Sequence, residues 1–338
     1  MVYNKKYLSH YNLDVELFKE FDLEVYDVVP IRSVYIIYTD KGRKILKKVE
    51  YTIKELNFIN DGIKYIKNKF SRVVDFLNNK NGEIYSIWNK DMYCIMDLVE
   101  GRESDFNNPI DICISAEGIG ELHKASEGFK TDLCNKYYNG KLIDKLNRKI
   151  DEMNFFKNIA NMHENKTEFD NIFLKEVNYH IDEIKTSINI LENSLYYKLC
   201  SEEDKVVLCH HDLAHHNILI NDNKAYFIDF DYSIIDLKVH DLCNFINKVV
   251  KDFAFDIEKA KIIINSYCKK NSLDEREIKV LYGMLNFPED FYNISKDYYT
   301  KRKDWEEEEF LNKLKKKSSY RNYRKEFLFL FKEYGNIK

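Results

Sequence analysis

The sequence predicts an α+β protein of two lobes: a small β-sheet lobe with one main helix, then a large, mainly helical lobe with one embedded β-hairpin. Three observations predict it. β-Branched and aromatic runs around short polar turns occupy the first hundred or so residues, apolar spacing turns helical from about Asp111, and one short strand pair, Ile218 to Ile228, interrupts the helical region. The expected division is 1–97 and 98–338, in keeping with roughly 150 residues per domain. With 44% hydrophobic and 33% charged residues, the chain can build a core and is not predominantly disordered.

Taken in order, Ser33 to Thr39 and Lys44 to Val49 flank Asp40-Lys41-Gly42 and read as a hairpin. Ile53, Leu56, Ile59, Ile63 and Ile66 recur at helical spacing over Thr52 to Lys67. Glu83 to Trp88 and Met92 to Val99 read as two further strands, joined at Asn89-Lys90-Asp91. Helical periodicity covers Ile112 to Ala125, Leu142 to Ile159, Phe173 to Leu191, Ile257 to Lys269 and Glu275 to Leu285. The embedded hairpin pairs Ile218-Leu219-Ile220 with Ala225 to Ile228 around Asn221-Asp222-Asn223. Near the end, Glu309 and Lys313 are in i,i+4 relation, as on a solvated helix.

Several function classes are excluded at this level. A net charge of -4 argues against a nucleic-acid partner, which needs excess Lys and Arg. No apolar run reaches the roughly 18–20 residues of a membrane helix, so no membrane association is expected. Met1 to His10 lacks the apolar core of a secretory signal. The seven cysteines are odd in number and show no CxxC pair, which reads as reduced thiols in the cytoplasm.

The chemistry is concentrated around the embedded hairpin. Before it, His210-His211-Asp212 and Asn217 fit H-x-D-x-x-x-x-N; after it, Ile228-Asp229-Phe230-Asp231 resembles the D-F-G metal motif of kinases. An antiparallel hairpin brings the start of its first strand, Asn217, beside the end of its second, Asp229. One amide oxygen and one carboxylate at the same edge suit Mg²⁺, and Asp231, two residues on in an extended segment, offers a second carboxylate. Asp212 is placed to orient an attacking hydroxyl, with His210 bracing its loop. Four histidines and Cys209 between positions 209 and 216 also invite a zinc reading, but their spacing is irregular for a structural site.

These segments resemble the aminoglycoside phosphotransferase and choline kinase superfamily, in which H-G-D-x-x-x-x-N precedes an I-D motif and a D-L motif follows. Here the last is His240-Asp241-Leu242, and Gly118 to Ser126 resembles the superfamily's L-H-x-A-S helix. Ile228 to Tyr232 and Phe287 to Tyr292 are similar to CotS-type spore-coat proteins of endospore-forming bacteria. The resemblance runs loosely from Val25 to Tyr299 and is sharp between Leu208 and Phe245. It implies a bilobal, protein-kinase-like fold, with 1–97 binding nucleotide and 98–338 carrying catalysis and acceptor binding. ATP and Mg²⁺ are the implied cofactors, and Asp241 is implied to brace the catalytic loop. Ile45-Leu46-Lys47-Lys48-Val49 resembles the family's lysine strand. Lys47 is the expected α/β-phosphate contact, with Lys48 as the alternative, and Glu55, or else Glu50, is its expected carboxylate partner. Met96 to Gly101 would be the hinge, with the Asp97 and Val99 backbones facing adenine.

Two departures stand out. Val28-Val29-Pro30-Ile31-Arg32 occupies the place of a Gly-rich loop, and His211 replaces the glycine of H-G-D. The expected function is ATP/Mg²⁺-dependent phosphorylation of a hydroxyl on a sugar, amino-alcohol or aminoglycoside-like acceptor. The alternative is a structural spore-coat component that binds nucleotide with little turnover. The expected location is the mother-cell cytoplasm, with assembly among other spore-coat proteins. The acceptor pocket is expected near Asp212, with walls from Leu142 to Ile159 and Phe287 to Tyr299.

Overall fold

The computed structural model describes residues 13–251 and 254–337, so the reading of Met1 to His10 lies outside the described residues. In chain order the elements begin α1 (Val15–Glu20), β1 (Val25–Ile31), β2 (Val34–Thr39), β3 (Gly42–Val49), α2 (Ile53–Lys67), β4 (Ser86–Trp88), β5 (Asp91–Asp97), β6 (Arg102–Glu103) and α3 (Pro109–Ser126). They continue α4 (Leu142–Met162), α5 (Glu168–Glu192), α6 (Tyr196–Leu199), β7 (Val206–Cys209), β8 (Ile218–Asn221), β9 (Lys224–Phe227) and β10 (Ile234–Leu237). The last are α7 (Lys238–Val250), α8 (Ile257–Cys268), α9 (Glu275–Leu285), α10 (Glu289–Tyr299), α11 (Glu307–Ser319) and α12 (Arg321–Tyr334).

The chain forms two compact units. The first holds the described residues up to Ser104, Thr131–Leu133 and His215–Asp231. Its main sheet is antiparallel in the order β1-β2-β3-β5-β4. Asn89 and Lys90, at φ 47° and 72°, turn β4 into β5, and Asp222 and Asn223, at φ 48° and 54°, turn β8 into β9. Paired left-handed residues match the twist of a tight hairpin, which is why Asn and Asp recur there. The sheet buries Val28, Ile37, Leu46, Tyr93 and Ile95 against Leu17 and Phe18 of α1. Although it lies late in the sequence, the β8–β9 hairpin belongs to this unit: Phe227 N–H donates to Arg72 C=O at 2.9 Å, and β8 pairs with β6.

The second unit holds Asp105–Lys130, Cys134–Ala214 and the described residues from Tyr232 onward. It is helical apart from β7 paired with β10. Helix α3 packs on α8, and α5 packs on α4 and α9. Gly120 permits the first contact: a Cβ there would lie 2.9 Å from the Tyr267 carbonyl oxygen. Among the described residues no helix is long and apolar enough to cross a membrane.

Candidate active site

In the first unit, Lys47 lies on the central strand β3, with β2 and β5 on either side fixing its backbone. Its Nζ sits 2.6 Å from Asp229 Oδ1 and 2.7 Å from Asp231 Oδ2, and its side chain is 12% exposed. Strand alternation sends Lys48 to the other face, where it meets Asp91 at 2.8 Å. Burial works against the Lys47 charge, but Asp231 and Asp229 outweigh it and hold the ammonium pKa above its usual value. Burial, reinforced by the Asp229 charge, pushes the Asp231 carboxyl up despite Lys47. Tyr51 donates its hydroxyl to Asp231 Oδ1 at 3.0 Å. Asp229 adopts φ 64°, a left-handed conformation that Asp tolerates better than most side chains.

Asn217 is buried at the close of a short 3₁₀ turn, and its carbonyl accepts the Ile228 N–H at 3.1 Å. The backbones leading to Asn217 and Asp229 therefore adjoin at one end of the hairpin. Asn217 would offer an amide oxygen and Asp229 and Asp231 their carboxylates, an all-oxygen set, and the Asp229 charge that adds to burial in raising Asp231 is what a divalent cation would offset. The residues fit Mg²⁺.

The expected Lys47–Glu55 pair is corrected by the structure, which gives Lys47 to Asp229 and Asp231. Glu55 is the third residue of α2, and its Oε2 accepts from the Thr52 N–H at 3.1 Å and the Thr52 hydroxyl at 3.0 Å. The helix start has unsatisfied N–H groups, and a capping box consumes the carboxylate. Asp97 ends β5, donates its N–H to the Asp75 carbonyl at 3.0 Å and pairs its carboxylate with Lys44 at 2.6 Å. Val99 follows it, half-buried.

In the second unit, Asp241 of α7 holds the loop after β7. It accepts the His210 N–H at 2.6 Å and the His211 N–H at 2.8 Å, and His123 Nε2 lies 3.1 Å away. His123 Nδ1 meets the Tyr267 hydroxyl at 2.9 Å, so the close approach at Gly120 seats the far side of this network. Burial alone would raise the Asp241 carboxyl; the His123 hydrogen bond and the surrounding imidazoles hold it down at about 2. His210 is fully buried, and its Nδ1 accepts the Asp212 N–H at 3.3 Å. That is a loop-bracing geometry. His211 adopts φ 66°, the conformation that favours glycine. Burial and the neighbouring His240 push its imidazole down to about 4, so it is neutral near pH 7.

Asp212 Oδ1 accepts a hydrogen bond from Lys248 Nζ. Sequence reasoning missed Lys248. Its signal is that it stands seven residues after Asp241, two turns along the same helix face. A cavity of about 520 Å³ opens beside this loop, lined by Lys248, His211, Leu142, Lys145, Lys149 and Phe287 to Phe291.

Spore coat protein S of Bacillus subtilis (strain 168) is 25% identical over 284 residues, 82% of this chain and 81% of that protein. An aminoglycoside phosphotransferase from Alicyclobacillus acidocaldarius subsp. acidocaldarius DSM 446 shares the fold, with a TM-score of 0.84 at 16% identity over 96% of both chains. Spectinomycin phosphotransferase APH(9)-Ia, in complex with ADP and spectinomycin, aligns over 89% of this chain and 92% of its own at 13% identity, with a TM-score of 0.63. At these identities the likeness to solved structures carries the fold, which is thus protein-kinase-like and α+β. Residues 10–331 match the family described as spore coat putative kinase YutH, and the chain belongs to that family.

Proposed function

We propose that this protein transfers the terminal phosphate of ATP, with Mg²⁺, to a hydroxyl of a small molecule. One observation supports it above the others: Lys47 meets both Asp229 and Asp231 at salt-bridge distance, at the hairpin end where Asn217 is buried. A cation-binding carboxylate pair and a phosphate lysine then share one place. In this reading the 1–97 lobe binds nucleotide and the 98–338 lobe carries the acceptor site. Lys47 contacts the α- and β-phosphates, and Asn217, Asp229 and Asp231 would hold Mg²⁺. The metal would supply positive charge to the β- and γ-phosphates. The Asp97 and Val99 backbones, at and just beyond the end of β5, pair with the adenine edge in this reading. Asp212 accepts the proton of the acceptor hydroxyl as that oxygen bonds to the γ-phosphorus and the bond to ADP breaks. Asp241 and His210 act by positioning the Asp212 loop.

The test is a Mg²⁺-dependent thermal shift with ATP, together with phosphate transfer that Asp212→Ala abolishes. ATP that stabilises neither the wild type nor the variant overturns the reading.

The likeness to spore coat protein S favours a second reading, a coat component that assembles with other spore-coat proteins and binds nucleotide with little turnover. It is supported if incorporation into the coat survives Asp212→Ala.

A further inference from the structure

The cavity beside Asp212 is walled by more basic than acidic side chains. Most are already matched. Lys248 is held by Asp212, Lys317 by Asp290 at 2.7 Å, Arg324 by Glu183 and Arg321 by Glu176 at 3.0 Å. Lys145 and Lys149 are not. Neither has a carboxylate at salt-bridge distance among the described residues: Asp236, paired with His240, acts on Lys145, and Glu289 and Glu152 act on Lys149, only from further off, and both lysines rest on aromatic rings. The Lys149 Nζ is 4.0 Å from the centroid of Phe287 and 4.5 Å from that of Tyr292, and the Lys145 Nζ is 3.2 Å from that of Tyr138. A ring face attracts an ammonium but accepts none of its three N–H bonds in the way an oxyanion does. Burial pushes the Lys149 ammonium down to about 8, the mark of a cation short of counter-charge. Among the acids on the wall, Glu183 also serves His180 and Asp290 serves Lys317, which leaves Glu289 against Lys145, Lys149 and Lys251.

We infer that this cavity takes an anionic acceptor, a hydroxyl compound carrying a carboxylate or phosphate group that Lys145 and Lys149 bind. This rests on the reading of Asp212 as the group that orients the acceptor hydroxyl. An amino-alcohol or aminoglycoside would instead bring its cation against two ammoniums with no carboxylate at salt-bridge distance, and like charges repel. The ring packing has a purpose in this arrangement. It holds two flexible lysine stems extended into the cavity, so that little side-chain freedom is lost when the anion arrives.

The test is calorimetric titration of the full-length chain at low salt with gluconate and glycerol 3-phosphate as anionic polyols, glycerol as the neutral control and choline as the cation. Both anions, or one of them, are expected to bind. Lys149→Gln, with its melting temperature checked against the wild type, should weaken that binding at least ~10-fold. Lys145→Gln is the second variant, should Lys149→Gln fail to fold. Binding of choline or glycerol in preference to the anions, no binding by either anion, or anion binding untouched by both variants overturns the inference. Phosphate transfer from Mg–ATP separates it from the reading it rests on. Anions that bind without being phosphorylated leave this inference standing and count against phosphotransfer. A cationic or neutral acceptor that is phosphorylated does the reverse.

Discussion

The ammonium of Lys47 sits 2.6 Å from Asp229 and 2.7 Å from Asp231, and burial together with the Asp229 charge raises the Asp231 carboxyl. Lysine therefore serves as the local counter-charge wherever a metal does not. Lys47→Ala separates its two effects by sign. Mg²⁺ alone should bind more tightly to the variant, because no ammonium competes for the carboxylates. Mg–ATP should bind at least ~10-fold more weakly, because the charge-assisted contact to the phosphates is lost. Calorimetric titration of both ligands checks this, and a variant that weakens both or neither contradicts the assigned roles.

Asp212 is expected to matter for rate rather than for nucleotide affinity. Asp212→Asn keeps the side-chain shape and removes the proton acceptor, so transfer should fall by roughly 10²–10⁴-fold. Mg–ATP affinity should change by less than about threefold, since the proposed metal and phosphate contacts belong to Lys47, Asn217, Asp229 and Asp231. Single-turnover transfer and a nucleotide titration on the same preparation measure the two quantities.

Much of this site was legible because its parts carry local chemical signatures. The turns at Asn89-Lys90 and Asp222-Asn223 need left-handed residues, and the sequence places Asn, Asp and Lys there. The alternation of β3 separated Lys47 from Lys48. The pieces not read locally lack such signatures. β1 contains Pro30, which argues against a central strand; it is tolerated because β1 is an edge. β7 and β10 are four residues each and largely buried on both faces, so they show no alternation. Lys47 pairs with Asp229 and Asp231 rather than with Glu55, because two demands compete for the Glu55 carboxylate. Capping needs only the neighbouring turn of chain, whereas Asp229 and Asp231 lie about 180 residues away in the sequence.

His211 carries a backbone that glycine would adopt freely, and its ring packs 5.0 Å from His240. Comparing His211→Ala with His211→Gly isolates the backbone contribution, since both lose the ring. The glycine variant should be more stable than the alanine variant by about 1 kcal/mol, opposite in sign to a glycine placed in a helix interior. Urea unfolding midpoints at matched m-values measure the difference. Alanine equal to or above glycine would show that the loop relaxes out of the left-handed region.

Asp241 links the folded state to acid. Its carboxyl is held at about 2, against an ordinary value of 3.8. A folded value below the unfolded one contributes stability at pH above the unfolded pKa, and the contribution is lost as pH falls through the folded pKa. The window therefore runs from about pH 4 down to about pH 2, with a contribution of about 2 kcal/mol above it. Because the side chain is fully buried, water screens little of this. Asp241→Asn removes the charge and turns one acceptor into a donor facing the His210 and His211 N–H groups. At pH 7 it should cost about 3 kcal/mol, the range for breaking a buried charged network. Below pH 4 the variant should lose stability less steeply than the wild type, because the linked proton is gone. Urea unfolding of both proteins across pH 7 to 2.5 gives the two slopes. Parallel slopes would mean that Asp241 is not the group that titrates there, and the brace on the Asp212 loop would then owe its strength to packing rather than to charge.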